Sequence, residues 1–121
     1  MQKILIAEDD NILSKAINTA LKQQGFETYA AKDGQEALIK AKQFKPDLIL
    51  LDLIMPKISG EDVLAQLKKD EETRPIPVLV MTVKSELEAI SRCAELEAKG
   101  YFIKAHNTLE KIVKEIKKAL R

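Results

Sequence analysis

The chain is 121 residues long, with 45% hydrophobic and 32% charged residues, which fits one globular domain with a real core and argues against disorder. Its formal net charge of +1, with no long block of one sign, gives no electrostatic footing for nucleic-acid or membrane binding, so a partner has to be read from a site. The single cysteine, Cys93, excludes an internal disulfide, and MQKILIAEDD meets acids after too short an apolar run for a signal peptide or membrane span; the expectation is a soluble cytoplasmic protein.

In chain order, Lys3 to Ala7 is an aliphatic run of strand length. Ile12, Leu13, Ala16, Ile17, Ala20 and Leu21 then recur with helical spacing until Gly25 supplies a stop. Glu27 to Ala30 is a weaker second strand, after which Asp33 caps a helix whose inner face is Ala37, Leu38, Ala41 and Phe44, ended by Pro46. Leu48 to Leu51 is apolar at every position, as in a strand covered on both faces, and Ser59-x-x-Asp62 starts a helix presenting Val63, Leu64 and Leu67. Pro75 and Pro77 introduce a strand from Val78 to Met81. Ser85-x-x-Glu88 has the form of a capping box for a helix with Leu87, Ile90 and Ala94 inward. After Gly100, Tyr101 to Ile103 is a short last strand, and Asn107-x-x-Glu110 opens a closing helix with Leu109, Ile112, Val113, Ile116 and Leu120 on one stripe. There is no internal repeat.

Five strands alternating with five helices through short connections predict an α/β, doubly wound parallel sheet with helices on both faces. Alternation alone leaves strand order open; 2-1-3-4-5 is a common solution and is the order expected here, with the ligand crevice outside the carboxyl ends of strands one and three. Those ends are polar without exception. Strand one is followed by Glu8, Asp9 and Asp10, strand three by Asp52, strand four by Thr82 and strand five by Lys104. Asp10 has an alternative reading as the cap of the first helix. Asp52 has none of that kind, because LIMPKISG separates it from the next helix and Ser59 already holds the cap position.

Clustered carboxylates resist joint ionisation without a counter-charge. Lys104 supplies one positive charge, and a hard divalent cation would supply the rest; Mg2+ suits a site of few carboxylates that leaves water or phosphate oxygens to complete the octahedron. A crevice so equipped favours a phosphoryl group, with Lys104 and the hydroxyl of Thr82 placed to meet its oxygens.

ILIAEDD, PDLILLDLIMPKISG, PVLVMT and GYFIK, in this order and spacing, resemble the receiver domains of two-component response regulators, the CheY-like domains. The resemblance covers residues 1 to 121, one receiver domain with no output domain visible in the sequence. It implies Glu8 and Asp9 as Mg2+ acids, Asp52 as phosphoacceptor and metal ligand, and the backbone carbonyl of Ile54 as a further ligand. Thr82 is then the switch hydroxyl, Lys104 the phosphoryl-binding lysine and Tyr101 the aromatic that swings inward on activation. It further implies phosphoryl transfer from a sensor histidine kinase or phosphotransfer protein, a downstream target or output domain, and catalysis of nothing beyond the domain's own phosphorylation and dephosphorylation. A phosphorylation-favoured homodimer is compatible with the last helical face.

Three positions depart from the family pattern. Ala105 stands where proline usually follows the lysine, often through a cis bond; cis before a non-proline residue costs about 2.5–4 kcal/mol, so a trans bond is expected, with a displaced Lys104 as its consequence. Val83 is bulky where a small residue usually follows the switch hydroxyl, which predicts slower exchange with small phosphodonors and water. Ile54 is apolar where many relatives are polar, which predicts a longer-lived phosphoryl group. His106 reads as an exposed loop residue, Cys93 as a small helix residue, and the lysines of EKIVKEIKKALR as a solvated face. A haloacid-dehalogenase-type enzyme would want a second acid at position 54, and a flavodoxin-like phosphate loop would not read EDDN. The remaining alternative is a receiver-shaped interaction module regulated by binding alone, for which only Ala105 and Val83 speak.

Overall fold

Leu48–Leu51 forms strand β3, buried at all four positions, and the computed structural model, which describes residues 1 to 121, shows why. Successive side chains of a strand point to opposite faces. Leu48 and Leu50 join one core with Ile4, Ile6, Leu79 and Met81, while Ile49 and Leu51 join a second with Leu5, Ala7, Val78 and Val80. An uninterrupted apolar run is therefore required of the central strands β1 (Lys3–Ala7), β3 and β4 (Val78–Thr82).

Helices α1 (Asn11–Gln23) and α5 (Leu109–Ala119) cover the first core through Ile17, Leu21, Ile112, Val113 and Ile116. Helices α2 (Gly34–Phe44), α3 (Gly60–Lys69) and α4 (Leu87–Glu95) cover the second through residues such as Ala37, Leu64 and Cys93. With β2 (Glu27–Ala31) and β5 (Gly100–Ile103) at the edges, five parallel strands lie in the order 2-1-3-4-5, as expected. No helix is long and apolar enough to cross a membrane.

Asp10, Asp33 and Ser59 each accept backbone N–H groups as N-caps of α1, α2 and α3. Gly25, at φ +89°, takes the left-handed turn that follows α1. Four local expectations are corrected. In α1, Ile12 is 83% exposed and Ala16 is exposed, because the helical stripe that meets the sheet runs through Ser14, Ile17 and Leu21, and Ile12 and Ala16 lie off it. In α4, Leu87 and Ala94 face solvent while Ala89 and Cys93 enter the core. The Ser85 capping box does not form: Glu86 occupies the N-cap without a side-chain bond, since the preceding residues are held in a loop described below. Asn107 does not cap α5 either. A 3-10 turn at Lys104–His106 follows β5, Nδ2 of Asn107 turns back to the carbonyl of Ile103, and Thr108 caps the helix.

Candidate functional site

The parallel sheet delivers the carboxyl ends of β1, β3, β4 and β5 to one edge. Ala7 pairs with Leu51 and the amide of Asp52 donates to the Ala7 carbonyl at 3.0 Å, so Glu8 and Asp52 leave neighbouring strands side by side. Both are buried, and Asp9 is exposed. One carboxylate oxygen from each of Glu8, Asp9 and Asp52 lies within 4.8 Å of the others. At such a separation two carboxylates repel by about 4 kcal/mol at an effective dielectric of about 20.

Lys104 answers part of that repulsion. Its ammonium donates to Oδ2 of Asp52 at 2.8 Å and lies 2.5 Å from Oε1 of Glu8. The Lys104–Ala105 bond is trans, and the lysine is not displaced by the missing proline. Burial alone would lower its pKa, but the hydrogen bond to Asp52 and the contact with Glu8 prevail and hold it above the ordinary lysine value. Burial pushes Glu8 the other way, above the usual carboxylate range, against the opposing pull of Lys104 and of the Asp10 amide.

The two oxygens of Glu8 differ. Oε2 accepts from the Asp10 amide at 3.0 Å, and Oε1 is held by the Lys104 ammonium at 2.5 Å. One lysine leaves three clustered carboxylates short of positive charge, which a divalent cation would supply. The donor set is all carboxylate oxygen, which fits a hard divalent ion such as Mg2+.

Two glycines fix the loop that carries Asp52. A Cβ on Gly60 would stand 2.3 Å from the Asp52 carbonyl oxygen and 2.4 Å from Cα of Leu53, so α3 starts directly against the Asp52 backbone. A Cβ on Gly34 would stand 2.3 Å from the carbonyl oxygen of Ile58, so the start of α2 braces the same loop from its other end. Within it, the amide of Ile54 donates to Oδ1 of Asp52 at 3.2 Å while its side chain is 47% exposed.

Thr82 ends β4 fully buried, and its Oγ1 accepts from the amide of Lys84 at 3.4 Å. Tyr101 is half-buried on β5 and donates its hydroxyl to the carbonyl of Lys84 at 2.9 Å. Burial, with the charges of Cys93, Glu86, Glu61 and Asp52 adding to it, pushes its phenol up to about 12. Val83, between Thr82 and Lys84 in the chain, is 60% exposed, and His106 is exposed. Lys84 itself escapes sequence reasoning, although its place two residues after the hydroxyl could have flagged it. A groove of about 450 Å³ between α1 and α5 is lined by none of these residues.

Acids after β1 and β3, a hydroxyl after β4 and a lysine after β5 are now joined at one edge. Residues 4–117 match the family model of the response regulator receiver domain. The chain belongs to that family. Its receiver fold superposes on the CheY-like receiver domain protein of Methanospirillum hungatei JF-1 with a TM-score of 0.92 at 25% identity, covering 99% of this chain and 94% of that one. The Mn(2+)-bound form of response regulator Rcp1 matches with a TM-score of 0.86 at 31% identity over 97% of this chain and 92% of its own. The DNA-binding dual master transcriptional regulator RpaA of Synechocystis sp. is 33% identical over the full receiver, which makes up 50% of that relative. The chain spans about half the length of the curated relatives it matches.

Proposed function

We propose that this receiver takes a phosphoryl group on Asp52 from a sensor histidine kinase or phosphotransfer protein and, so modified, changes its preference for a downstream target or output domain. The observation that carries the proposal is the buried Glu8–Lys104–Asp52 arrangement, with Asp9 beside it, at the edge where the strands end.

A carboxylate oxygen of Asp52 attacks the phosphorus of a phosphohistidine in line. The O–P bond forms as the N–P bond breaks, the electron pair leaves with the imidazole, and an acyl phosphate remains. Lys104, already hydrogen-bonded to Asp52, stays with the transferred oxygens and offsets their charge. The hydroxyl of Thr82, which only accepts within the protein, has its proton free for a phosphoryl oxygen. Glu8, Asp9, Asp52 and the backbone carbonyl of Ile54 would hold Mg2+, which supplies positive charge against the carboxylates and the phosphoryl oxygens. Ile54 and Val83 offer no group that could activate water, which favours a persistent acyl phosphate. The Mn(2+)-bound state of Rcp1 supports a divalent ion in this chain.

Tyr101 and Thr82 form the switch, and their shift redistributes the surface of α4, β5 and α5 between partners. A phosphorylation-favoured homodimer through that surface belongs to the same reading. The domain turns over no substrate other than its own acyl phosphate, acts in the cytoplasm and leaves nucleic acid to other parts of such regulators.

Intact-protein mass after incubation with a small phosphodonor, with and without Mg2+, tests this. The expected result is a Mg2+-dependent gain of one phosphoryl group that Asp52→Asn lacks. No gain in either the native chain or Val83→Ala overturns the proposal and leaves a module regulated by binding alone.

A further inference from the structure

Lys84 is held at three points. Its amide donates to Thr82, its carbonyl accepts from Tyr101, and its ammonium lies 3.4 Å from Oε2 and 3.5 Å from Oε1 of Glu61 in the first turn of α3. The hydroxyl and the aromatic ring of the switch therefore meet on a single residue, and that residue is tied to the helix that starts against the Asp52 backbone.

Val83, Lys84 and Ser85 make no backbone-to-backbone hydrogen bond. A segment without ladder bonds belongs to the low-stability end of a fold, where a few side-chain contacts decide its position. The 3.4 Å contact with Thr82 is beyond the usual N–H···O distance and holds weakly. The Tyr101 bond follows the ring and cannot fix it independently. What remains to anchor the loop from outside the switch is the ion pair, whose glutamate is 18% and whose lysine is 33% exposed.

We propose that the Glu61–Lys84 ion pair is a positioning device that sets the resting state of the switch, holding Lys84 where Tyr101 is already turned in beneath the loop before any phosphoryl group arrives. The meaning of Thr82 and Tyr101 as a switch rests on the function proposed above; the position of the ring does not. Phosphorylation then completes an arrangement that is largely in place, and Glu61 tunes how much of the shift is left to make.

The test uses the full chain labelled with 3-fluorotyrosine. It has two tyrosines, so 19F NMR gives two resonances, assigned by Tyr101→Phe. Lys84→Ala and Glu61→Gln should each move the unphosphorylated Tyr101 resonance toward its solvent-exposed value, with a change of about 1.5- to 5-fold in the ratio of turned-in to turned-out ring, the worth of a partly exposed ion pair. The Tyr29 resonance should stay, the double variant should go no further than either single one, and Lys84→Arg should restore the native position. Glu61 also favours the N-terminus of α3, a contribution that Lys84→Ala leaves intact, so agreement of the two single variants separates the pair from the helix. A Tyr101 resonance unmoved in both variants, or moved in only one of them, overturns the proposal. Mass measurements on the same samples report phosphoryl uptake independently, so failure of Asp52 to accept a phosphoryl group is distinguishable from failure of the preset.

Discussion

The loops after β3 and β4 lie on adjacent strands at the same edge of the sheet and are held in opposite ways. The first is fixed by backbone against backbone, with Gly34 and Gly60 admitting two helix starts so closely that no side chain fits between. The second has no backbone ladder and is held by a hydroxyl, an amide and an ion pair gathered on Lys84. Under the proposed function Asp52 is the acceptor of an in-line transfer, which tolerates little displacement, whereas the loop after β4 reports by moving. The same fold meets both requirements by giving one loop steric contacts and the other exchangeable polar ones.

The largest effect should come from breaking the rigid loop. Gly60→Ala places a methyl group 2.3 Å from the Asp52 carbonyl oxygen, and relief requires moving α3 or the acceptor itself. Overpacking of this kind costs about 1–3 kcal/mol and sometimes more. Urea unfolding should show that loss, and phosphoryl uptake should fall with it; a variant of native stability would mean that the first loop yields as readily as the second.

Tyr101→Phe removes one hydrogen bond from the second loop, and a loss of about 0.5–1.5 kcal/mol is expected. The pH dependence sharpens this. Tyr101 titrates at about 12 in the folded chain against 10.0 for an unperturbed phenol, so its contribution is full below pH 10 and is lost as pH rises toward 12, where the unfolded chain has given up a proton that the folded chain keeps. Over that window Tyr101→Phe should lose stability less steeply with pH than the native chain. Equal slopes in urea midpoints would place the ring outside the loop.

Val83→Ala is the mildest change, since an exposed side chain is usually worth within about 0.5 kcal/mol. Stability should hold while uptake from a small phosphodonor and loss to water both quicken, because a smaller side chain next to Thr82 leaves the acids as they are. Unchanged rates would remove Val83 from any part in controlling access.

How legible the sequence was follows the same division. The central strands and the strand-end acids could be read because a sheet covered on both faces leaves no choice of residue along its middle strands, and because parallel strands share one carboxyl edge. Glu8, Asp52 and Lys104 meet for that reason. Helix faces fed by small residues were harder: Ala89 and Cys93 enter the core while the larger Leu87 remains outside, since the loop held by Tyr101 fixes where α4 begins and therefore its rotation. Ser85 was misread as a cap on the same account. The tight spaces at Gly34 and Gly60 and the three contacts of Lys84 depend on distances between segments far apart in the chain, which no local spacing encodes.

Three of the four site groups stand at or just beyond the end of a strand directly after a buried packing side chain: Ala7 then Glu8, Leu51 then Asp52, Met81 then Thr82. Foldedness and chemistry are thus inherited through adjoining but separate letters. A lineage can exchange Ile, Leu and Val along the strand interiors while the terminal letters persist, and a designer could rebuild the interior for heat resistance and keep the crevice intact.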